Sequence, residues 1–469
     1  MYNYLARKRK METIVRLESL RFQNLKNVNN GELFFSERKE LERGEYDEEK
    51  RLSSVLGIYG QNGSGKTTAL NALRLIQNLL GGSYINPIFS GYINVNETEL
   101  SVGADFFVKT AKGNYYVYYD IEIHKNDNQT LDIANERLSY FKYGEGERKN
   151  NFYEFVAPSE IKKSFAEKLS QNDKAIYQYL CSNDTSGSKN GGFAFSSIFN
   201  PKTLNIIANN KANMDDFAVI VGALFNFAKN NLAIYAINYF NKNENVGIRF
   251  RVKDQIRGAD TVGDIFVPFT PSALESVAFS VFEKIIAKIN KVMPAIIPGY
   301  AISITKTNNP QFQKLTNMVE FFLTSKRGDG KPIALLYESN GIKKIISILS
   351  GLIDAYSHEG TLMAIDEIDS GIFEYLLGEI VYSFENFGKG QLMFTSHNMR
   401  VLEKVNYKNI FFTTTDHKKA FTQLTNIRNS NNLRDMYYRL IANGCEGDTK
   451  LYDMVKTEEL IGSLFVDGE

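Results

Sequence analysis

Apolar and polar residues alternate along the first part of the chain. Ile14-Val15-Arg16-Leu17-Glu18-Ser19-Leu20-Arg21-Phe22 has the period of two that marks a half-buried strand, and Gly31-Glu32-Leu33-Phe34-Phe35 reads as its hairpin partner. Val55-Leu56-Gly57-Ile58-Tyr59 is an apolar run instead, the pattern of a buried strand, and Thr68–Ile76 carries the apolar spacing of a helix. From Ala104 to Phe141 alternation returns, through Tyr115-Tyr116-Val117-Tyr118-Tyr119 and Ile121-Glu122-Ile123, so this lobe is expected to be rich in antiparallel strands. The pattern then changes. Ser182–Gly192 is turn-forming, helical spacing follows at Met214–Lys229 and Ser272–Val292, and strands resume at Tyr300–Thr305 and Met318–Thr324.

The last part reads as alternating short strands and helices. A helix opens near Ser339 and runs through Ile345–Ile353, followed by the strand Thr361–Ile365, a helix over Phe373–Phe387, the strand Gln391–Thr395 and a hairpin near Phe411–Leu424. Three segments are expected: 13–144, rich in strands; 145–295, a mainly helical insertion; and 296–469, a second α/β lobe. No repeat of fixed period and no sustained heptad occurs, which excludes a solenoid and a long coiled coil.

Composition narrows the class. At 469 residues, 43% hydrophobic and 23% charged, the chain has the make-up of a soluble globular protein with more than one domain. Lys plus Arg number 55 and Asp plus Glu 54, so no global imbalance points to nucleic acid or an anionic membrane. The two cysteines, Cys181 and Cys445, form no C-x-x-C pair, which argues against a disulfide framework or structural zinc. Arg7-Lys8-Arg9-Lys10 precedes no apolar stretch, and no segment approaches 18 uninterrupted apolar residues, so a cytoplasmic protein without membrane contact is expected. The charged run Glu37–Arg51 reads as a solvated loop, with a docking patch as the alternative.

Candidate chemistry starts with Gly60-Gln61-Asn62-Gly63-Ser64-Gly65-Lys66-Thr67-Thr68, which fits G-x-x-x-x-G-K-[ST] at every defined position. Strand, glycine loop and helix is the arrangement that wraps phosphates in backbone N–H groups at a helix N-terminus. Lys66 would reach the β- and γ-phosphates of a nucleoside triphosphate and the Thr67 hydroxyl would hold Mg²⁺. Three hundred positions later, the apolar strand Thr361–Ile365 ends in Asp366-Glu367. There the first carboxylate could hold Mg²⁺ and the second could orient or deprotonate an attacking water. A plain strand exit is the alternative. A further strand then delivers His397, about 30 residues on and across one helix, whereas His124, His358 and His417 lack such a setting. Glu338-Ser339-Asn340-Gly341-Ile342-Lys343-Lys344 opens a helix, which Ser339 could simply cap.

Taken in order, these residues resemble the ABC-type ATPase heads of the SMC/RecF/OLD group. The resemblance covers roughly 13–140 and 296–425, and includes Leu20–Lys26, GQNGSGKTT, ESNGIKK, IDEIDSGI and TSHN. It is nearest to standalone ATPases of bacterial antiphage systems, AbiL-like and PARIS-type. The resemblance implies an α/β ABC-type P-loop ATPase head, with a β-rich first lobe carrying Walker A and a second lobe carrying signature, Walker B and switch histidine. It implies ATP with Mg²⁺, bound by Gly60, Asn62, Gly63, Ser64, Gly65, Lys66, Thr67 and Thr68, with Thr67 and Asp366 on the metal. Glu367 and His397 would be catalytic, the imidazole contacting the γ-phosphate, while Ser339 and Gly341 would close on the nucleotide of a second subunit. A homodimer or higher homo-oligomer with ATP between heads follows.

The function it implies is an ATPase, slow in turnover, that acts as sensor or scaffold in antiphage defence and controls a separate effector, a nuclease or toxin. A phage protein or DNA is a further candidate partner. A RecF-like DNA-repair ATPase that clamps DNA is the alternative, and a transporter subunit is disfavoured by the insertion. Phe373 stands where the group often has histidine, no Q-loop glutamine can be placed, and ESNGIKK departs from LSGGQ. The 72 residues after His397 leave no room for the TOPRIM nuclease of OLD proteins, so no effector chemistry is expected in this chain.

Overall fold

The computed structural model describes residues 13–35, 54–128, 130–143, 153–157, 195–201, 203–205, 216–236, 246–256, 259–307, 317–414, 416–424 and 432–443. Arg7–Lys10, Glu37–Arg51, Ser182–Gly192, Cys181 and Cys445 lie outside these.

Strands β1 (Ile14–Leu25) and β2 (Val28–Phe34) form the expected hairpin. The strand β3 (Val55–Tyr59) then leads into helix α1 (Lys66–Leu80). Strands β4 (Glu99–Thr110), β5 (Gly113–Lys125), β6 (Leu131–Lys142) and β7 (Tyr153–Ala157) join the hairpin in an antiparallel sheet of order β2-β1-β4-β5-β6-β7. Alternation builds it: Tyr115, Val117, Tyr119, Ile121 and Ile123 of β5 are all buried in one core.

Helix α2 (Asp216–Asn226) is followed by β8 (Leu232–Tyr235), the hairpin β9 (Gly247–Ile256) and β10 (Ala259–Pro268), β11 (Ser272–Glu275) and helix α3 (Ser276–Ile296). The segment 145–295, expected as a mainly helical insertion, therefore contains five strands among its described residues, and β8 belongs to the central sheet. The expected helix from Ser272 starts only at Ser276, because Ser272–Glu275 pair with a later strand, which overrides local helical spacing.

Strands β12 (Tyr300–Lys306), β13 (Met318–Arg327) and β14 (Ile333–Ala334) complete that small sheet with β11. Helix α4 (Asn340–Ser357), β15 (Leu362–Ile365), α5 (Glu374–Phe387), β16 (Gln391–Thr395), α6 (Met399–Leu402), β17 (Ile410–Thr413), β18 (Phe421–Thr422) and α7 (Leu433–Asn443) finish the described chain. The central sheet has the order β18-β17-β3-β16-β15-β8, parallel except for the edge strand β18.

Both faces of this sheet are covered, and strand alternation divides its residues between two cores. Leu56, Ile58, Leu362, Ala364, Met393 and Phe411 join α1, α2 and the antiparallel sheet. Val55, Tyr59, Met363, Ile365, Leu392, Phe394, Ile410 and Phe412 join α3, α4 and α5. Sandwiched between two sheets, α1 is buried on nearly every side. The result is the expected α/β fold, with a β-rich first lobe and a phosphate-loop strand and helix built into a parallel sheet.

A single side chain ties the two sheets near the start of β16. Gln391 accepts the Leu17 N–H (2.9 Å) and donates to the Leu17 carbonyl (2.7 Å), mimicking one rung of strand pairing. Beside it the Arg16 guanidinium donates to the carbonyls of Lys389 (2.8 Å) and Glu359 (3.3 Å). Gln391→Leu would leave both Leu17 backbone groups unpaired in a buried setting, at a cost of about 1–3 kcal/mol per group. Urea denaturation should show that loss as a lower midpoint with an unchanged slope.

Candidate functional site

The geometry of the loop between β3 and α1 is set by glycines at two positions. Gly60 leaves β3 at φ 152°, where a Cβ would lie 1.6 Å from the Thr413 hydroxyl oxygen. Gly65 caps α1 at φ 101°, a left-handed position in which a Cβ would strike Val28. No side chain caps α1 and its first turn holds no acid, so its free N–H groups and positive end face an incoming anion. The Lys66 ammonium folds back onto the carbonyls of Gly60 (2.8 Å) and Gln61 (2.7 Å). The loop is braced from two sides. Ser64 donates to Gln61 O and receives the Thr413 hydroxyl, each at 2.7 Å, while the Asn27 amide donates to Gly63 O at 2.6 Å.

Strand order brings the acids to the same edge. With β16 between β3 and β15, Lys66 and Asp366 meet at the C-terminal ends of parallel strands, the position where open α/β sheets bind ligands. Thr395, at the end of β16, donates to Asp366 Oδ1 (2.6 Å) and accepts the Glu367 N–H (2.7 Å). The Thr67 hydroxyl lies 3.4 Å from the same Asp366 oxygen. Glu367 adopts φ 46°, a left-handed conformation that costs a non-glycine residue about 1–2 kcal/mol. Its carbonyl is held by the Lys344 ammonium at 2.6 Å and by the Ser370 N–H at 3.0 Å.

Electrostatics confirm how close these groups are. Burial lowers the Lys66 ammonium from its ordinary range, and Asp366, Glu367 and Asp369 partly oppose the shift. Burial, and then the charge of Lys66, lowers the His397 imidazole from its ordinary range, and Asp369, Glu367 and Asp366 partly oppose the shift. The backbone N–H of His397, not its ring, donates to Asp369 Oδ2 at 3.0 Å. From the β1–β2 turn, the Lys26 ammonium lies 4.2 Å from the Tyr92 ring centroid and feels the charge of Asp366.

Among the described residues no cluster of three or more His, Cys, Asp or Glu could hold a metal unaided. Yet Asp366 Oδ2 is buried without a hydrogen-bond partner, and Thr67 stands beside the same carboxylate. One carboxylate and one hydroxyl, completed by phosphate oxygens and water, is a donor set that suits Mg²⁺.

The structure thus gathers Gly60, Asn62, Gly63, Ser64, Gly65, Lys66, Thr67, Thr68, Asp366, Glu367 and His397 at one sheet edge. It places Ser339 and Gly341 at the start of α4. Ser339 Oγ accepts the Ile342 N–H at 3.3 Å, a true N-cap on an exposed residue. Gly341 packs so tightly on Gly371 that a Cβ would meet its carbonyl oxygen at 2.2 Å, which accounts for both glycines within one chain. His124 pairs with Glu99 at 2.9 Å and His358 with Asp354 at 2.7 Å, away from this edge. Sequence reasoning did not single out Asn27, Lys26, Lys344, Asp369, Thr395 or Thr413 as site residues. Lys26, Lys344, Asp369 and Thr395 stood inside the motifs Leu20–Lys26, ESNGIKK, IDEIDSGI and TSHN, but only the fold shows which groups they meet.

In three dimensions the chain is similar to the SMC head domain with an extended coiled coil bound to the C-terminal domain of ScpA from Pyrococcus furiosus, with 12% identity, a TM-score of 0.39, and 91% of this chain and 99% of that one covered. It is also similar to the SMC head domain from Thermotoga maritima, at 10% identity and a TM-score of 0.33, covering 87% of this chain and 99% of that one. The recombination mediator RecF with ATP aligns at 14% identity and a TM-score of 0.37, covering 88% and 100%. No curated protein matches the sequence. The family described as "AAA domain, putative AbiEii toxin, Type IV TA system" matches residues 55–403, a span from the P-loop strand β3 through α6 that exceeds half the chain. The chain belongs to this family of ATPase domains.

Proposed function

We propose that this protein binds ATP with Mg²⁺, hydrolyses it slowly between two heads, and uses that cycle as the sensor or scaffold of an antiphage system whose effector is a separate nuclease or toxin. The observation that carries the nucleotide chemistry is the meeting of Lys66, Thr67, Asp366, Glu367 and His397 beside the uncapped N-terminus of α1. Membership of a family named for a toxin–antitoxin system supports the defence setting.

In this reading Lys66 exchanges the Gly60 and Gln61 carbonyls for the β- and γ-phosphates, a stronger charge-assisted contact. Asp366 and Thr67 hold the metal, which supplies Lewis-acid stabilisation of phosphoryl charge when bound. Glu367 accepts a proton from the attacking water or orients it. The His397 imidazole, whose protonation burial and the charge of Lys66 disfavour, offers the γ-phosphate a hydrogen bond. Exposed Ser339 and the N-terminus of α4 present donors to the nucleotide of a second copy, so two heads enclose two ATP.

Lys66→Ala should abolish ATP binding in calorimetry, because the cation that neutralises the phosphates is gone. Glu367→Gln should bind ATP and trap it unhydrolysed; normal turnover in that variant would overturn the assignment of Glu367. Wild-type turnover should fall below the roughly 1–100 s⁻¹ typical of kinases.

Ser339→Arg should leave ATP affinity of the single chain nearly intact while blocking ATP-dependent association and hydrolysis, read by light scattering and phosphate release. Normal association would reduce Ser339 to a cap worth about 1 kcal/mol. In cells, the chain expressed without its genomic neighbours should not impair growth, with or without phage. Killing that disappears in Lys66→Ala would assign toxicity to this polypeptide, and ATP-dependent clamping of duplex DNA would favour a repair role.

A further inference from the structure

Helix α4 touches the loop after β15 at two points on one face. Gly341 is in backbone contact with Gly371, and one turn later Lys344 reaches the Glu367 carbonyl at 2.6 Å. Lys344 is only 5% exposed, so its ammonium is held in the interior with its hydrogen bond aimed at the backbone of the acidic pair. Glu367 needs such support. Its left-handed backbone is restrained at the N–H by Thr395 and at the carbonyl by Lys344 and Ser370. Of these restraints, Lys344 comes from the helix whose first turn also carries Ser339.

We infer that Lys344 is a positioning residue that couples the N-terminus of α4 to Glu367 of the same chain. The inference rests on the reading of Glu367 as the residue that acts on water. The first turn of α4 and the loop Asp366–Gly371 behave as one unit, because Gly371 leaves no space for Gly341 to slide and the Lys344 ammonium pins the peptide after Glu367. When a nucleotide held by a second copy engages Ser339, the helix that receives it already grips the backbone of its own chain's acid. Engagement in one site is thereby communicated to the carboxylate that serves the other. Such an element has the discrete, packed contacts through which coupling between sites travels.

Removing the hydrogen bond leaves the P-loop untouched but lets the Glu367 backbone relax. Since misplacement of a reacting group by about 1 Å can cost 10²-fold in rate, Lys344→Met, which keeps the apolar stem and deletes the donor, should lower kcat by about 10–100-fold. ATP affinity, read by calorimetry, should stay within about twofold, and so should ATP-dependent association, since neither depends on the orientation of Glu367. Lys344→Arg, which retains a cation able to reach the carbonyl, should recover at least a tenth of wild-type kcat and serves if Lys344→Met does not fold. In a Glu367→Gln background, where ATP stays trapped, Lys344→Met should leave ATP affinity and ATP-dependent association unchanged, because it acts through the missing carboxylate.

Wild-type kcat in Lys344→Met, loss of association in that variant or in its combination with Glu367→Gln, or an Arg variant as impaired as Met would each overturn the inference. Normal turnover in Glu367→Gln alone would instead overturn the reading beneath it. An inactive Glu367→Gln with a fully active Lys344→Met separates the two, leaving the reading standing and the coupling refuted.

Discussion

The central sheet is buried on both faces, and most of what the molecule can do follows from that constraint. A strand such as β15, with all four residues buried, has no room for polar chemistry along its length. Reactive groups can appear only where strands end, and the parallel direction of β3, β16 and β15 puts those ends together. Gly60, Asp366 and Ser396 are the first residues beyond the three strands, and each belongs to the phosphate loop, the acidic pair or the approach to His397.

The same edge concentrates backbone strain. Gly60, Gly65 and Glu367 all have positive φ, and the last lacks the freedom of glycine. Strained conformations persist only when surrounding contacts over-determine them. At Glu367 three partners do so from three elements: Thr395 at the end of β16, Ser370 in its own loop and Lys344 on α4. Thr395 has a double task, since one hydroxyl donates to the Asp366 carboxylate and accepts the backbone N–H of Glu367, tying the first acid's side chain to the second acid's backbone.

The antiparallel lobe is more than a cover for α1. Its β1–β2 turn lays the Asn27 amide on the Gly63 carbonyl, so the edge of one sheet braces the phosphate loop carried by the other. That geometry requires the sheets to hold their relative position, which Gln391 secures by two hydrogen bonds to Leu17 and Arg16 by two more to carbonyls beyond. Both anchors are polar contacts between segments more than 340 positions apart, those of Gln391 fully buried and those of Arg16 partly so.

By itself the sequence determined the local elements and the phosphate loop. Alternation in β1, β4 and β5, the apolar run of β3, and the G-x-x-x-x-G-K-T spacing depend on neighbours in the chain, and each can be read without a fold. The acidic pair and His397 were legible too, because each sits at the end of an apolar run. What only tertiary structure decided was set by partners distant in sequence. Leu232–Tyr235 became the edge strand of the central sheet, within a region expected to be mainly helical, by pairing with β15. Ser272–Glu275 left the helix for β13. The spacing of ESNGIKK shows a cap, but not that Gly341 needs Gly371 or that Lys344 grips Glu367; those roles arise from close approach between segments about 20–30 residues apart, which local patterns do not encode.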